Sequence, residues 1–325
     1  MNNKYILGID TSNYRTSIAV VDTNGTIVID NRCLLRVKKG ERGLRQSEAL
    51  FQHVENLPEL FEAFSSKNLN ISAVAVSNKP RPIEGSYMPC FKAGYGFGKT
   101  IAKTLNVPLF EFSHQEGHLE AIKYYSKLKE KTSILAWHLS GGTCELLRVD
   151  NGKIEIIGGS KDISFGQVID RVGVLLGMNF PAGEEMDLCA LQGSKEKGTE
   201  QKQLSKIKLD GLYFNLSGIE TQCSRLLQSD VWKNDELYKI ALIKELFHKI
   251  ALTIISVSEN AATQFGLQDI VFAGGVSCSK YISTEIERFF DNKEIKIDFG
   301  RQDLSGDNAV GIALLGGKSL WQLSQ

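Results

Sequence analysis

The chain opens with short hydrophobic runs broken by polar turns. Tyr5-Ile6-Leu7-Gly8-Ile9-Asp10 leads into a Thr/Ser/Asn stretch, then Ser17-Ile18-Ala19-Val20-Val21, then Asn24-Gly25 and Thr26-Ile27-Val28-Ile29. Runs of this length between turn residues predict strands, and Asn-Gly predicts a hairpin joining the second to the third. The same unit returns later. Ile134–Leu139 is followed by Ser140-Gly141-Gly142-Thr143, Glu145–Val149, Asp150-Asn151-Gly152 and Ile154–Ile157. A strand–polar turn–strand–Asn-Gly–strand pattern near the start of each half predicts two related lobes.

Between the copies, Leu50, Val54, Leu57, Phe61 and Phe64 fall at helical spacing, Ala73–Val76 reads as a buried strand, and Thr100–Leu105 as helix ahead of Pro108. Beyond the second copy, Ile240, Ile243, Phe247, Ile250, Ile254, Val257 and Ala261 stripe a long helix. Ile270–Val276 is then a buried strand ending in glycines. Helix 279–290, strand 295–298 and a helix from Asp307 complete an alternating α/β order. The expected division is a first lobe of residues 1–112 joined by a C-terminal helix at 307–325, and a second lobe of residues 113–306. The Lys/Glu/Gln/Gly-rich stretch 193–209 reads as a solvated loop.

Composition narrows the function classes. The 325 residues suit two medium lobes. With 38 basic and 38 acidic side chains the formal charge is zero, which argues against a surface that is wholly a polyanion trap and leaves room for a local basic patch. Apolar residues at 42% and charged residues at 23% describe an ordinary globular chain, not a disordered segment or a coiled coil. No apolar run reaches the ~20 residues of a membrane span, and Met1–Tyr5 runs into a strand pattern without a signal-peptide core. Cysteines 33, 90, 144, 189, 223 and 278 never form Cys-x-x-Cys and read as reduced thiols in a cytoplasmic protein.

The sharpest local signal is His114-Gln115-Glu116-Gly117-His118. Two histidines at i and i+4 share a helix face and are able to ligate one metal; helix-terminal histidines that satisfy local hydrogen bonds are the plainer alternative. A metalloprotease would need Glu at i+1, whereas Glu116 stands at i+2, so its base is missing. Asp307 is a possible remote third ligand and equally an N-cap of the final helix. Asp10, at a strand end, could hold a metal-bound water. Ser140-Gly141-Gly142-Thr143 and Gly274-Gly275 are phosphate cradles or simply turns. Asp170 and Asp187 flank a Gly-rich loop and suit ribose hydroxyls or a bland surface role. Gly94–Thr100 nearly spells a P-loop, but Ala93 replaces its first glycine, so these glycines read as helix-packing residues. Lys38, Lys39, Arg42 and Arg45 form either a basic edge or a solvated face.

Together these motifs resemble the universal tRNA threonylcarbamoyladenosine synthase family (TsaD-type), formerly called O-sialoglycoprotein endopeptidase. The resemblance is carried in order by Leu7–Ser12, His114–His118, Ser140–Gly142, Phe165-Gly166 through Asp170, Gly177–Gly183, Phe214–Gly218, Gly274–Val276 and Gly306–Ala309. It implies an α/β, two-lobed fold similar to actin and sugar kinases, with duplicated lobes about a central cleft. It implies one divalent metal (iron or zinc, with magnesium as the alternative) on His114, His118 and Asp307. Phosphate would lie on Ser140–Thr143, the nucleoside on Asp170, Gly183 and Asp187, and the adenosine side on Gly275 and Ser279, with Asp10 and Ser140 catalytic. ATP or an adenylate would be the nucleotide and tRNA the acceptor. A related partner subunit and a threonylcarbamoyl-AMP-producing enzyme are expected, and neither DNA nor a membrane.

The sequence departs from the family pattern at several points. Asn13-Tyr14-Arg15 replaces Cys-Asp-Glu, Thr143 follows Ser140-Gly-Gly where a histidine is usual, and Gln167, Ala182 and Ser279 stand for Glu, Gly and Asn. A paralogous carbamoyl- or phosphoryl-transferase acting on a small molecule, or a non-catalytic partner subunit, are the alternatives these edits raise.

Overall fold

The computed structural model describes residues 4–12, 14–38, 43–64, 67, 69–193, 203–228 and 235–323. Asn13, Lys39, Arg42 and residues 194–202 of the expected loop lie outside this set. Two units emerge, Met1–Tyr125 with Asp303–Gln325, and Ser126–Gln302.

In the first unit, β1 (Tyr5–Thr11), β2 (Arg15–Asp22) and β3 (Ile27–Leu34) form an antiparallel meander. The Asp22 carboxylate accepts the N–H groups of Asn24 and Thr26 and so closes the Asn24-Gly25 hairpin that the sequence predicts. Helix α1 (Gln46–Phe61) crosses over to β4 (Ile71–Lys79), which pairs in parallel with β1. Helix α2 (Phe91–Leu105) leads to β5 (Leu109–Ser113), parallel to β4, and α3 (His114–Tyr124) follows without a break. The sheet order is β3-β2-β1-β4-β5.

Two sequence expectations for this unit resolve differently. The near-P-loop glycines are packing residues inside α2, as read: a Cβ on Gly98 would strike Val76, and one on Gly94 would sit 2.8 Å from Thr11 Oγ1. The buried face of α1, by contrast, is rotated from the apolar stripe. Gln52, His53 and Leu57 are buried while Val54 is 46% exposed. The polar pair holds this place because it has internal partners: Gln52 exchanges two hydrogen bonds with the Arg36 backbone, and His53 bonds Ser12 and Thr16.

The second unit repeats the plan. It runs β6 (Ser133–Leu139), β7 (Cys144–Asp150), β8 (Lys153–Ser160), α4 (Phe165–Leu175), α5 (Gly183–Gly193), β9 (Leu209–Asp210), β10 (Tyr213–Phe214) and α6 (Ser217–Gln228). The 30-residue α7 (Glu236–Phe265), β11 (Asp269–Ala273), α8 (Lys280–Phe290) and β12 (Lys296–Asp298) complete it. Its sheet order, β12-β11-β6-β7-β8-β10-β9, contains the first unit's order read from the other edge, with β6, β11 and β12 again parallel. The duplicated meander is thus a structural duplication. Ile243, Phe247, Ile250, Ile254, Val257 and Ala261 of α7 are buried in this unit's core, as their spacing predicts.

The chain returns to the first unit with α9 (Val310–Gln322). The capping role expected of Asp307 belongs to its neighbour: Asn308 Oδ1 accepts the N–H groups of Val310 and Gly311, while its amide donates to Leu304 and Gly306 carbonyls. Helix α3 lies in the first unit, beyond the 112/113 division drawn from the sequence, because it packs against α9 backbone to backbone. A Cβ on Gly311 would collide with the Gly117 carbonyl, so only glycine lets the helices approach this closely.

Candidate metal centre

Helix α3 begins at His114, and its start is fixed by a capping box. Ser113 Oγ accepts the Glu116 N–H, and Glu116 Oε2 accepts the Ser113 N–H at 2.6 Å. Glu116, which a protease would need elsewhere, is a capping residue. The box sets the phase of the helix so that His114 and His118 share one face, their rings edge to face at 84° with centroids 4.4 Å apart. Their Nε2 atoms are 3.0 Å apart, and Asp307 Oδ1 lies 3.1 Å from His118 Nε2 and 3.4 Å from His114 Nε2. One ligand atom from each residue falls within 4.8 Å of the others, the grouping a metal ion requires.

The surroundings fit a cation. His114 Nδ1 donates to Asp10 Oδ1 at 2.9 Å, which leaves Nε2 turned toward His118 and Asp307. A carboxylate behind a histidine is the usual way a ligating imidazole is oriented and made more basic. Asp10 is fully buried there, and its Oδ2 has no hydrogen-bond partner among the described residues. Burial works against a charge on His114, but the charge and hydrogen bond of Asp10, helped by Asp307, outweigh it and push its pKa to about 10. Burial, with the neighbouring charge of His114, lowers that of His118. Burial likewise works to raise the Asp307 carboxyl, yet its bonds to the two histidines hold it well below the usual carboxylate range. Two carboxylates thus face this pair of imidazoles, and a divalent ion held by the facing Nε2 atoms and Asp307 would balance their charge. Cys90 is not part of this grouping; burial first, then the Asp10 charge, push its thiol up to about 12.

Ser12 Oγ donates to Asp307 Oδ2 at 2.8 Å and so turns Oδ1 toward the histidines. Arg15, which departs from the family's acid, donates from Nη1 to the Asp307 carbonyl at 3.4 Å. It braces the ligand's backbone and leaves its carboxylate to the histidines.

The expected nucleotide residues lie in the second unit. Ser140-Gly141-Gly142-Thr143 is a tight turn: Ser140 N–H donates to the Thr143 carbonyl at 2.9 Å, and Ser140 Oγ accepts the Thr143 N–H at 3.0 Å. The start of α4 abuts it, with Ser164 Oγ donating to the Gly141 carbonyl and a Cβ on Gly166 falling 2.6 Å from Gly141 Cα. Gly274, in the left-handed region at φ 97°, presses the end of β11 on the Leu139–Ser140 peptide. At Gly141, Gly142, Gly183 and Gly275, by contrast, a Cβ would meet open space and φ is ordinary. The fold does not require glycine at those four positions.

The acids of this unit are occupied. Asp170 Oδ1 accepts the Ala182 N–H at 2.8 Å, with burial raising its carboxyl. Buried Asp187 accepts Ser279 Oγ and the N–H groups of Lys280 and Tyr281, which caps α8. Gln167 forms a capping box with Ser164, so this departure from Glu preserves the helix start.

Three roles escaped sequence reasoning: the Glu116 cap, His53, and Asp162, whose oxygens accept the Leu216 and Ser217 N–H groups ahead of α6. A histidine three positions after Leu50, inside a helical stripe, was the available signal for His53.

Comparison with known proteins identifies the family. A family profile described as tRNA N6-adenosine threonylcarbamoyltransferase (TsaD) matches residues 36–314. A protein of that name from Neorickettsia sennetsu is 28% identical over 316 residues, covering 96% of this chain and 93% of its own. Among solved structures, component A of (R)-2-hydroxyglutaryl-CoA dehydratase from Acidaminococcus fermentans matches with TM-score 0.57 and 16% identity, covering 97% and 98% of the two chains. A ROK family glucokinase from Streptomyces griseus matches at 0.51 and 12%, covering 97% and 99%. At such identities these two show the fold alone, that of the actin-like ATPases and sugar kinases.

Proposed function

Since this chain belongs to the tRNA N6-adenosine threonylcarbamoyltransferase family, we infer that it is an acyltransferase placing a threonylcarbamoyl group on N6 of an adenosine in tRNA. The donor is threonylcarbamoyl-AMP and the acceptor adenosine lies beside the anticodon. The exocyclic amine forms a bond to the carbamoyl carbon and gives up one proton to water, the bond from that carbon to the phosphate oxygen breaks, and AMP leaves with the electron pair.

The observation that carries this reading is the convergence of His114, His118 and Asp307, with Asp10 behind His114. A divalent metal held there would supply Lewis acidity to a carbonyl or phosphate oxygen. The chain's own residues do the rest. Asp10 orients His114 and is a positioning residue. Ser12 and Arg15 hold Asp307 by its carboxylate and its backbone. The open glycines at 141, 142, 183 and 275 let a nucleotide approach the backbone N–H groups, which would stabilise the leaving phosphate. Asp170 and Asp187 act by shaping the loop at 182 and the start of α8, through the bonds just described. A second protein that makes the donor, and a related subunit, complete the system.

Nucleoside mass spectrometry of tRNA tests this reading, in cells depleted of their own synthase and expressing this chain with its partners. Threonylcarbamoyladenosine should reappear, and His114→Ala should abolish it. Metal-loaded, folded protein that restores none would overturn the assignment of acceptor.

A further inference from the structure

Outside the metal centre, one buried polar chain stands out. His53 on α1 is fully buried in the first unit. Its Nε2 lies 2.6 Å from the Ser12 carbonyl and its Nδ1 2.8 Å from Thr16 Oγ1, to which Asn56 Nδ2 donates at 3.2 Å. A carbonyl oxygen only accepts, so Nε2 carries the hydrogen; in the neutral ring Nδ1 is then bare and accepts from the Thr16 hydroxyl, whose oxygen accepts from Asn56. Burial lowers the pKa of His53, which agrees with the neutral ring this arrangement needs.

The chain ends on Ser12, whose carbonyl His53 holds and whose hydroxyl donates to Asp307 Oδ2. We propose that His53 is a positioning residue for the metal centre: by clamping the Ser12 peptide it aims the Ser12 hydroxyl, which in turn selects the Asp307 oxygen that faces His114 and His118. The inference rests on the metal reading given above. A merely structural role, tying α1 to the sheet, would need the same ring but would not be felt at Asp307.

The two amides that imitate the two halves of an imidazole separate these roles. Glutamine reaches the Nε2 position and keeps a donor to Ser12; asparagine fills the Nδ1 position and loses that donor. Purified full-length wild type, His53→Gln, His53→Asn and Ser12→Ala would be titrated with Co(II), and the visible ligand-field bands recorded beside thermal melting. His53→Asn should bind Co(II) about tenfold or more weakly, with altered band intensities, the size seen when a group behind a metal ligand is lost. His53→Gln should restore both. Ser12→Ala, which keeps the His53 contact, should match His53→Asn, and the two losses should not add in the double variant; it carries the test alone if His53→Asn does not fold. A folded His53→Asn or Ser12→Ala with wild-type affinity and bands overturns the inference, as does equal loss in the glutamine and asparagine variants. Wild type that takes up no Co(II) overturns the metal reading itself, and this inference with it.

Discussion

The two units share a five-strand order, yet the acids singled out as site candidates, and Asp162 with them, are used in opposite ways. In the first, Asp10 and Asp307 face histidine rings, and Asp10 keeps one oxygen without a partner among the described residues. In the second, Asp162, Asp170 and Asp187 turn to backbone N–H groups and shape the loops and helix starts on which glycines lie open. A carboxylate that accepts from the backbone is fully engaged by the fold, whereas one that accepts from imidazoles shares its site with whatever cation competes for their nitrogens. In one unit side chains converge on a candidate metal site; in the other backbone lies open at glycines, and the acids hold it in place.

Exchanging the two kinds of acid for alanine should expose this contrast. Asp307→Ala should remove metal, measured by elemental analysis of the purified protein, and lower tRNA modification by roughly a hundredfold or more, since a ligand is lost and not merely its support. Asp187→Ala should do the reverse. It should cost about 2 kcal/mol in urea unfolding, because Ser279 and two helix N–H groups lose their acceptor, while Co(II) affinity stays at the wild-type value. Gly142→Ala sharpens the comparison from the other side: with open space at its Cβ, melting should be unchanged, while adenylate affinity by calorimetry falls on the order of tenfold if the backbone is the contact surface.

The smallest effect concerns Asp162 and depends on pH. Burial acts to raise its carboxyl, but the N–H groups of Leu216, Ser217 and Ile163 outweigh that and hold it below the usual carboxylate range. A depressed folded value contributes stability that is present above the unfolded pKa, about 4, and disappears as pH falls through the folded one. The gap in unfolding stability between wild type and Asp162→Asn should therefore be open at pH 6 and close as pH drops below about 4.

Much of this was legible before any coordinates. The meanders, the hairpins at Asn24-Gly25 and Asn151-Gly152 and the α7 stripe all rest on local periodicity and turn chemistry, which sequence carries well. The pairing of His114 with His118 was visible for the same reason, being one helical turn. What the residues alone left open was polarity of use. The sequence offers Asp307 as the N-cap; its neighbour Asn308 makes the capping bonds, while Ser12 and two histidines surround Asp307. Asp187 suits a ribose contact or a bland surface role as the sequence stands, and its bond from Ser279, far along the chain, is what no local pattern announces. On α1, Val54 is apolar and His53 polar, yet His53 is the buried one because partners on β2 and at the end of β1 await it. Long-range partners of polar side chains leave no periodic trace.

The first unit is discontinuous, with Asp303–Gln325 returning to it after the whole of the second. On a ribosome that order becomes a schedule. The strands carrying Asp10, and the helix carrying His114 and His118, emerge well before Asp307, and the second unit is synthesised in the interval. Until residues near 311 arrive, the groove that Gly117 keeps open for Gly311 has no occupant, and the two histidines have no third partner. Nascent chains therefore spend the synthesis of an entire unit unable to assemble this centre, and a chain cut between the units would make every element of the first sheet without ever acquiring the site that sheet presents.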